Sequence, residues 1–372
     1  MNIIIIENSI GQTGALNSIL DKVTNVDKKF NFIFLIPKAS KTKKIIELRG
    51  FECIEINFVE ISRNNLRNVI YLFSLIKNAY LISRIVKRKK IEIIQVNDIY
   101  NLAGLATKLF TRIKVITHVR RMPESFPIQL YKLWVKIHLK FSDKILPVSF
   151  ANARIFKNSK KIEVLYNPAM KKDFNYTYKN NDNLRVLYLA NYTKGKGQEH
   201  AIKVIDIIKN VNKSNIHFKL DFVGSDFGLK TNQIFKKELE NFIHNNKLSS
   251  IIELKMESTN VIKEITESDI VLNFSDSESL SKVTMESLFY RIPIIATNVG
   301  GTNEMIEDGI NGFLVEKENI DQMVEKLTLL LDNYELRNSF HSNNFNYINK
   351  KFSPEKIKFQ LITIYDELLQ KK

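Results

Sequence analysis

The chain reads as short, wholly apolar runs separated by longer amphipathic ones. NIIIIE (2–7), FNFIFLIP (30–37), FECIEINF (51–58), IEIIQVN (91–97), IKVITHV (113–119) and KILPVS (144–149) are rich in isoleucine, valine and phenylalanine. Such runs predict strands buried on both faces. Between them the period becomes helical, as at 66–89 and 128–141. Buried strands alternating with helices imply a parallel sheet with helices on both sides.

The pattern stops at NPAMKKDFNYTYKNNDN (167–183), which is polar, asparagine-rich and aperiodic. It restarts with LRVLYLA (184–190), IHFKLDFVG (216–224), IIELKM (251–256), DIVLNFS (269–275) and IPIIATN (292–298), with helices between. The expectation is an α/β chain of two doubly wound, Rossmann-like domains facing across a cleft. The first covers 1–170, a linker covers 171–183 and the second covers 184–352. A last helix fills 353–372, opened by Ser353 and Pro354, and is a candidate to return to the first domain. In such sheets ligands bind at the carboxyl ends of the strands.

A length of 372 residues suits two domains, and 44% hydrophobic content suits buried cores. The one cysteine, Cys53, lies in an apolar run and reads as a core residue of a chain in a reducing compartment. The first residues show four isoleucines and no basic segment before them, so they read as a strand rather than a signal peptide. No apolar run reaches the roughly 18 residues of a spanning helix. The expected location is cytoplasmic and peripheral, on the inner face of the cytoplasmic membrane. The net charge of +16 is uneven. Residues 1–170 hold 29 lysines and arginines against 12 acids, a balance of +17, whereas 171–372 hold 27 against 28. The first half should therefore face an anionic partner.

Candidate chemistry concentrates in SDSESLSKVTMESLFYRIPIIATNVGGTNEM (275–305). Glu278 falls in a strand-to-helix loop and Glu286 inside the helix that follows, about 12 Å apart at helical rise. The N–H groups of Leu280 and Ser281 would open that helix and suit a phosphate or sugar oxygen. On spacing alone two readings stand: solvated glutamates around an ordinary helix, or carboxylates bracketing a nucleotide sugar. LANYTKGKGQEH (189–200) adds Gly195, Lys196 and Gly197 between a strand and a helix, which suits a pyrophosphate or is a plain basic turn. Asn97 and Asp98 sit at a strand's carboxyl end, where they could bind hydroxyls or cap a helix. THVRRMPES (117–125) places His118 beside Arg120 and Arg121 at another such end.

These residues carry a resemblance. Glu278, Ser279, Leu280, Ser281, Glu286, Pro293, Ala296, Thr297, Gly300, Gly301 and Glu304, continued by EDGINGFLV (307–315), resemble the E-x7-E signature of the retaining GT-B glycosyltransferases of family 4, the glycosyl transferases group 1. The likeness is close over the C-terminal half and loose over the N-terminal half. It implies that Glu286 meets the donor ribose, Glu278 the transferred sugar and Lys196 the diphosphate. Asn191 stands where the family often has an arginine on the diphosphate, and Lys194 could substitute for it. His118 resembles the family's histidine at the donor sugar, and Thr13 and Gly14 its first loop beside that sugar. Asn97, Asp98 and Arg120 would then face the acceptor.

The implied function is retaining transfer of a hexose or N-acetylhexosamine, with a UDP-sugar as donor. The acceptor would be lipid-linked or a polysaccharide, in bacterial surface-glycan synthesis. No cofactor and no metal are expected: histidines show no paired spacing, and Asp276 with Glu278 is the one D-x-E. A nucleotide-sugar epimerase or hydrolase, or a non-catalytic protein of this fold bound to membrane or nucleic acid, are the alternatives. The aromatic and basic segments 66–90 and 128–144 suit an anionic membrane surface. Nucleic acid is not expected, because no module signature for it is present.

Overall fold

The structure is a computed structural model that describes residues 1–370 apart from 12, 25, 28, 39, 60–64, 158, 170–182 and 212–216, without side chains for 65–69, 345 and 346. The chain divides into two compact units. One is Met1–Pro168 with Pro354–Lys372, and the other is Ala169–Ser353. The segment expected as a linker, 171–183, lies outside the described residues except for Asn183.

The first unit runs β1 (Asn2–Ile6), α1 (Gly14–Val23), β2 (Asn31–Pro37), α2 (Lys43–Leu48), β3 (Glu52–Ile56), α3 (Asn65–Arg88), β4 (Ile91–Val96), α4 (Ala103–Ala106), β5 (Lys114–Val119), α5 (Ile128–Phe141), β6 (Lys144–Pro147) and α6 (Phe150–Ala153). The second runs β7 (Asn183–Leu189), α7 (Gln198–Val211), β8 (His217–Val223), α8 (Lys230–Asn245), β9 (Ile252–Lys255), α9 (Val261–Thr266), β10 (Ile270–Asn273), α10 (Lys282–Phe289), β11 (Ile294–Thr297), β12 (Phe313–Val315), α11 (Ile320–Asp332) and α12 (Tyr334–Phe352). Helix α13 (Pro354–Gln370) closes the chain. Strand β12 has only three residues, too few for an apolar run to announce it.

Both sheets have six parallel strands in the same order. The first is β3-β2-β1-β4-β5-β6 and the second β9-β8-β7-β10-β11-β12. In each, strand order reverses beside the first strand, at β1/β4 and at β7/β10. This reversal opens a crevice beyond the carboxyl ends of those strands. The strand faces are apolar on both sides because helices cover both: Ile3 to Ile6 and Ile270 to Leu272 are all buried.

In the first unit Ile82 and Val86 of α3 pack with Ile4, Ile94, Val96 and Val115. A second cluster joins Tyr131, Trp134 and Val135 of α5 to Val119, Ile145 and Phe156. That placement corrects the surface reading of 128–144: Tyr131 and Trp134 are core residues at 0% and 2% exposure, not an aromatic face interleaved with lysines. Helix α13 packs on α1, and its buried Tyr365 donates to Gln95 Oε1 at 2.6 Å while its ring meets Phe30 and Phe32. In the second unit the Tyr188 ring packs tilted on Phe222 and edge-to-face with Phe274 at the heart of the sheet.

Candidate functional site

The crevice at β7/β10 is built by two glycines and a tyrosine. Gly195 and Gly197 have φ of +85° and +76°, a region that side chains strain to adopt. A Cβ on Gly197 would fall 2.1 Å from the Phe274 carbonyl oxygen. The loop after β7 therefore lies directly on the end of β10. Tyr188 clamps the two together: its hydroxyl donates to the Lys196 carbonyl at 2.5 Å and accepts from the Phe274 N–H at 2.8 Å. Burial pushes that phenol well above its ordinary pKa, so it stays protonated as the clamp requires. The Asp276 N–H adds a bond to the Gly195 carbonyl at 2.9 Å.

This loop presents Lys196, whose Nζ lies 2.8 Å from Glu278 Oε1. Lys194 turns elsewhere, 3.4 Å from Glu238 on α8 and over the Phe235 ring. Asn191 is bound up in the scaffold. Its side-chain oxygen accepts from the Ser225 N–H and its carbonyl from Gln198, so it ties the β7 loop to the β8 loop. Asp276 faces His200 at 4.0 Å and Lys317 at 3.7 Å. The two carboxylates of the D-x-E thus each face a cation. Among the described residues, no group of three or more His, Cys, Asp and Glu is placed to hold a metal ion.

Glu278 is fixed from behind by the loop after β11. Gly300 has φ +53°, and a Cβ there would lie 1.7 Å from the Glu278 carbonyl oxygen. The Gly301 N–H donates to that same oxygen at 3.0 Å. Helix α10 follows, capped by Ser281, whose hydroxyl accepts from the Thr284 N–H. Asn273 at the end of β10 donates to both Ser281 Oγ and Thr284 Oγ1, setting the helix start against its strand. The Leu280 side chain is buried. The N–H groups of Leu280 and Ser281 have no recorded acceptor among the described residues. Glu286, in the middle of α10, is 5% exposed, with Lys282 Nζ at 3.4 Å.

The crevice at β1/β4 in the first unit is lined differently. Glu7, just past β1, accepts from the Ser9 N–H and hydroxyl and from Asn97 Nδ2. Asn97 in turn accepts from Arg120 Nε at 2.7 Å. Asn167 Oδ1 gathers Arg120 Nη1, Lys22 Nζ and Ser18 Oγ at 3.1, 3.3 and 2.5 Å. Asn97 and Arg120 are therefore interior members of one network rather than surface groups. Burial lowers the Arg120 pKa to about 10, and burial together with Arg120 lowers that of Lys22 well below the ordinary range.

His118 lies on β5, fully buried, with no hydrogen-bond partner for either ring nitrogen among the described residues. Burial, then the nearby Lys22 and Arg120, hold it neutral. Asp98 accepts from the Ile99 and Arg120 N–H groups and pairs with Arg121 at 3.4 Å. Burial, opposed by those partners, pushes its pKa from 3.8 up to about 6. Arg121 is exposed, and its guanidinium lies over the rings of Tyr100 and Phe126. Thr13 caps α1, accepting from the Leu16 N–H and meeting Ser9 Oγ at 2.8 Å. Gly14 opens α1, with nothing within 4 Å of where a Cβ would stand.

Structure thus brings Lys196 and Glu278 together beside the Leu280–Ser281 start of α10, while Glu286 lies buried in the middle of that helix against Lys282. It adds supports that the motifs did not reveal: Tyr188, Asn273, Gly300, and in the first unit Glu7, Lys22 and Asn167. A tyrosine closing an apolar strand and an asparagine closing another were visible signals, since a buried hydroxyl or amide at a strand end needs a partner.

Known proteins were compared with this geometry. Residues 170–347 match the family described as glycosyl transferases group 1. An uncharacterised glycosyltransferase of Methanocaldococcus jannaschii is 32% identical over 230 residues, 61% of this chain and 60% of the relative. The capsular polysaccharide biosynthesis glycosyltransferase CapM of Staphylococcus aureus is 27% identical over 190 residues, 51% of this chain and 48% of its own. The match thus spans about half to three-fifths of the length of these curated relatives. The crystal structure of Anabaena HepE in complex with UDP and glucose superposes with a TM-score of 0.80 at 17% identity, over 98% of this chain and 99% of that one. The fold is GT-B, with two six-stranded parallel sheets.

Proposed function

Because residues 170–347 match the glycosyl transferases group 1 family, we propose that this chain is a retaining glycosyltransferase that uses a UDP-sugar. The observation that carries the reading is the β7/β10 crevice. Lys196, the Glu278 carboxylate and the start of α10 meet there on supports that leave no room for a Cβ at Gly197 or Gly300. The S. aureus relative is named for capsular polysaccharide biosynthesis, and the Anabaena protein holds UDP and glucose. The first supports a bacterial surface glycan as product, and the second, alike in fold, supports a UDP-sugar donor.

In this reading Lys196 leaves its partner Glu278 for the diphosphate, joined by the N–H groups at the start of α10. Glu286 takes the ribose hydroxyls and Glu278 the hexose or N-acetylhexosamine. The bond from the anomeric carbon to the diphosphate breaks, and the nucleoside diphosphate leaves with the electron pair. The acceptor oxygen forms the new bond, and its proton passes to the leaving diphosphate or to water. Lys196 and the helix start offset the charge that develops on the leaving group, which is the main source of acceleration. In this reading Lys196 and the helix start, rather than a metal, carry the charge of the leaving diphosphate.

The first unit binds the lipid-linked or polysaccharide acceptor. Asp98 and Arg121 meet it, while Asn97, Arg120 and the buried His118 hold that edge in place. The chain would work in the cytoplasm, against the inner face of the membrane.

A UDP-release assay tests the reading, with a UDP-sugar panel, acceptor extracts and a chelator present. Acceptor-dependent release that survives chelation and falls at least about a hundredfold, roughly 2.7 kcal/mol, in Glu278→Gln supports it. Turnover that needs no acceptor would favour a hydrolase or epimerase instead.

A further inference from the structure

Helix α3 carries an outer face that no described residue of its own unit covers. Its inner face, with Tyr71, Ala79, Ile82 and Val86, is buried. On the outer side Leu72, Phe73, Ile76 and Tyr80 stand 59%, 73%, 53% and 51% exposed. Spacings of three and four residues place them in one stripe. The stripe continues toward the helix end as Lys77, Arg84 and Lys87, all exposed. The patch also crosses to the turn after α4. Phe110 meets the Tyr80 ring at 5.7 Å, and its neighbour Leu109 is 73% exposed.

The charge on this face is uncompensated. No aspartate or glutamate occurs from Asn65 to Lys90. Among the described residues Lys77, Arg84, Lys87 and Arg88 have no ion-pair partner. Large apolar groups standing in water beside free cations mark a surface made for a partner. We infer that α3, with Leu109 and Phe110, is a docking face for an anionic lipid bilayer.

Two features favour a bilayer over other occupants. A second copy docked on the same face would bring two basic helices together with no acid on either to answer Lys77, Arg84 and Lys87. Phe73, Tyr80 and Phe110 offer rings, but Leu72, Ile76 and Leu109, half of the patch's six apolar groups, are aliphatic and give a nucleic-acid base nothing to stack on. Aliphatic and aromatic groups entering the acyl boundary, with lysine and arginine at the headgroups, are what an interfacial helix requires. Helix α5 offers a sparser face: its Tyr131 and Trp134 are buried, and of its large apolar groups Ile128, Leu133 and Phe141 stand exposed. This inference specifies the membrane partner of the proposed function, but it rests on the surface alone and not on glycosyl transfer.

Vesicle co-sedimentation tests it, with phosphatidylcholine alone and with phosphatidylglycerol added. The full chain should sediment with the anionic vesicles and be released by salt. Binding should fall at least about tenfold in Phe73→Ser with Ile76→Ser, and likewise in Arg84→Glu with Lys87→Glu. Lys132→Glu with Lys136→Glu on α5 should bind like wild type. All these groups are exposed, so folding is spared, and an unchanged circular-dichroism melting curve in each variant would confirm it. Wild type remaining in the supernatant would overturn the inference. So would concentration-dependent self-association, or oligonucleotide binding, that the Phe73→Ser pair abolishes. If UDP fails to bind while vesicles do, the function falls and the docking face stands.

Discussion

Gly197 decides more than its size suggests. Its left-handed φ and the 2.1 Å approach to the Phe274 carbonyl mean that Gly197→Ala must push the β7 loop off β10. Lys196, carried by that loop, would move with it. Gly197→Ala should thus lose nucleotide affinity as severely as Lys196→Ala, at least about tenfold by calorimetry, although it removes no functional group. Asp98 offers a second check. Its folded pKa of about 6 exceeds the ordinary 3.8, so between those values the folded chain holds the proton that the unfolded chain has lost. Stability from this group is full below about pH 4 and falls as pH rises to 6, by about 2–3 kcal/mol. Asp98→Asn lacks that loss. Denaturant unfolding across this range should show the variant gaining on wild type by that amount. His138, lowered by burial to about 4, has the opposite sign and costs stability as pH falls from 6.5. A flat Asp98→Asn difference would show that this carboxyl is not desolvated.

Elements hold these residues through contacts remote in sequence. Gly300 lies 22 positions from Glu278, yet its missing Cβ makes room for the Glu278 carbonyl. Gly300→Ala should therefore reduce turnover at least about tenfold while leaving the β7 loop and Lys196 in place. Helix α13 is the other remote contact. Tyr365→Ala should cost about 3–5 kcal/mol by emptying the space against Phe30 and Phe32. Tyr365→Phe should cost about 1–3 kcal/mol by leaving Gln95 Oε1 without its donor. Strands were legible along the chain because burial on both faces leaves unbroken apolar runs, from Ile3–Ile6 to Ile294–Ala296. The E-x7-E spacing was legible because both glutamates belong to one loop and helix. The Glu7–Asn97–Arg120–Asn167–Lys22 network was not, because its members come from five separate stretches. Nor could periodicity tell that Trp134 faces inward while Phe73 faces water. Both lie on amphipathic helices, and only the packing of each helix on its sheet settles which apolar groups are covered.

At the scale of the whole chain, two units with separate cores should respond to different ligands and mutations. UDP at about a hundred times its Kd should stabilise the second unit by about 2.7 kcal/mol and raise its unfolding transition. Tyr365→Ala should lower the transition of the first. The central claim is that Glu278 and Glu286 bracket a nucleotide sugar, and calorimetry of UDP on wild type and Glu286→Ala, without added metal, tests it most directly. The account predicts roughly micromolar binding that weakens at least about tenfold in the variant, a loss of about 1.4 kcal/mol. No binding of any uridine nucleotide, or equal binding by both proteins, would contradict it.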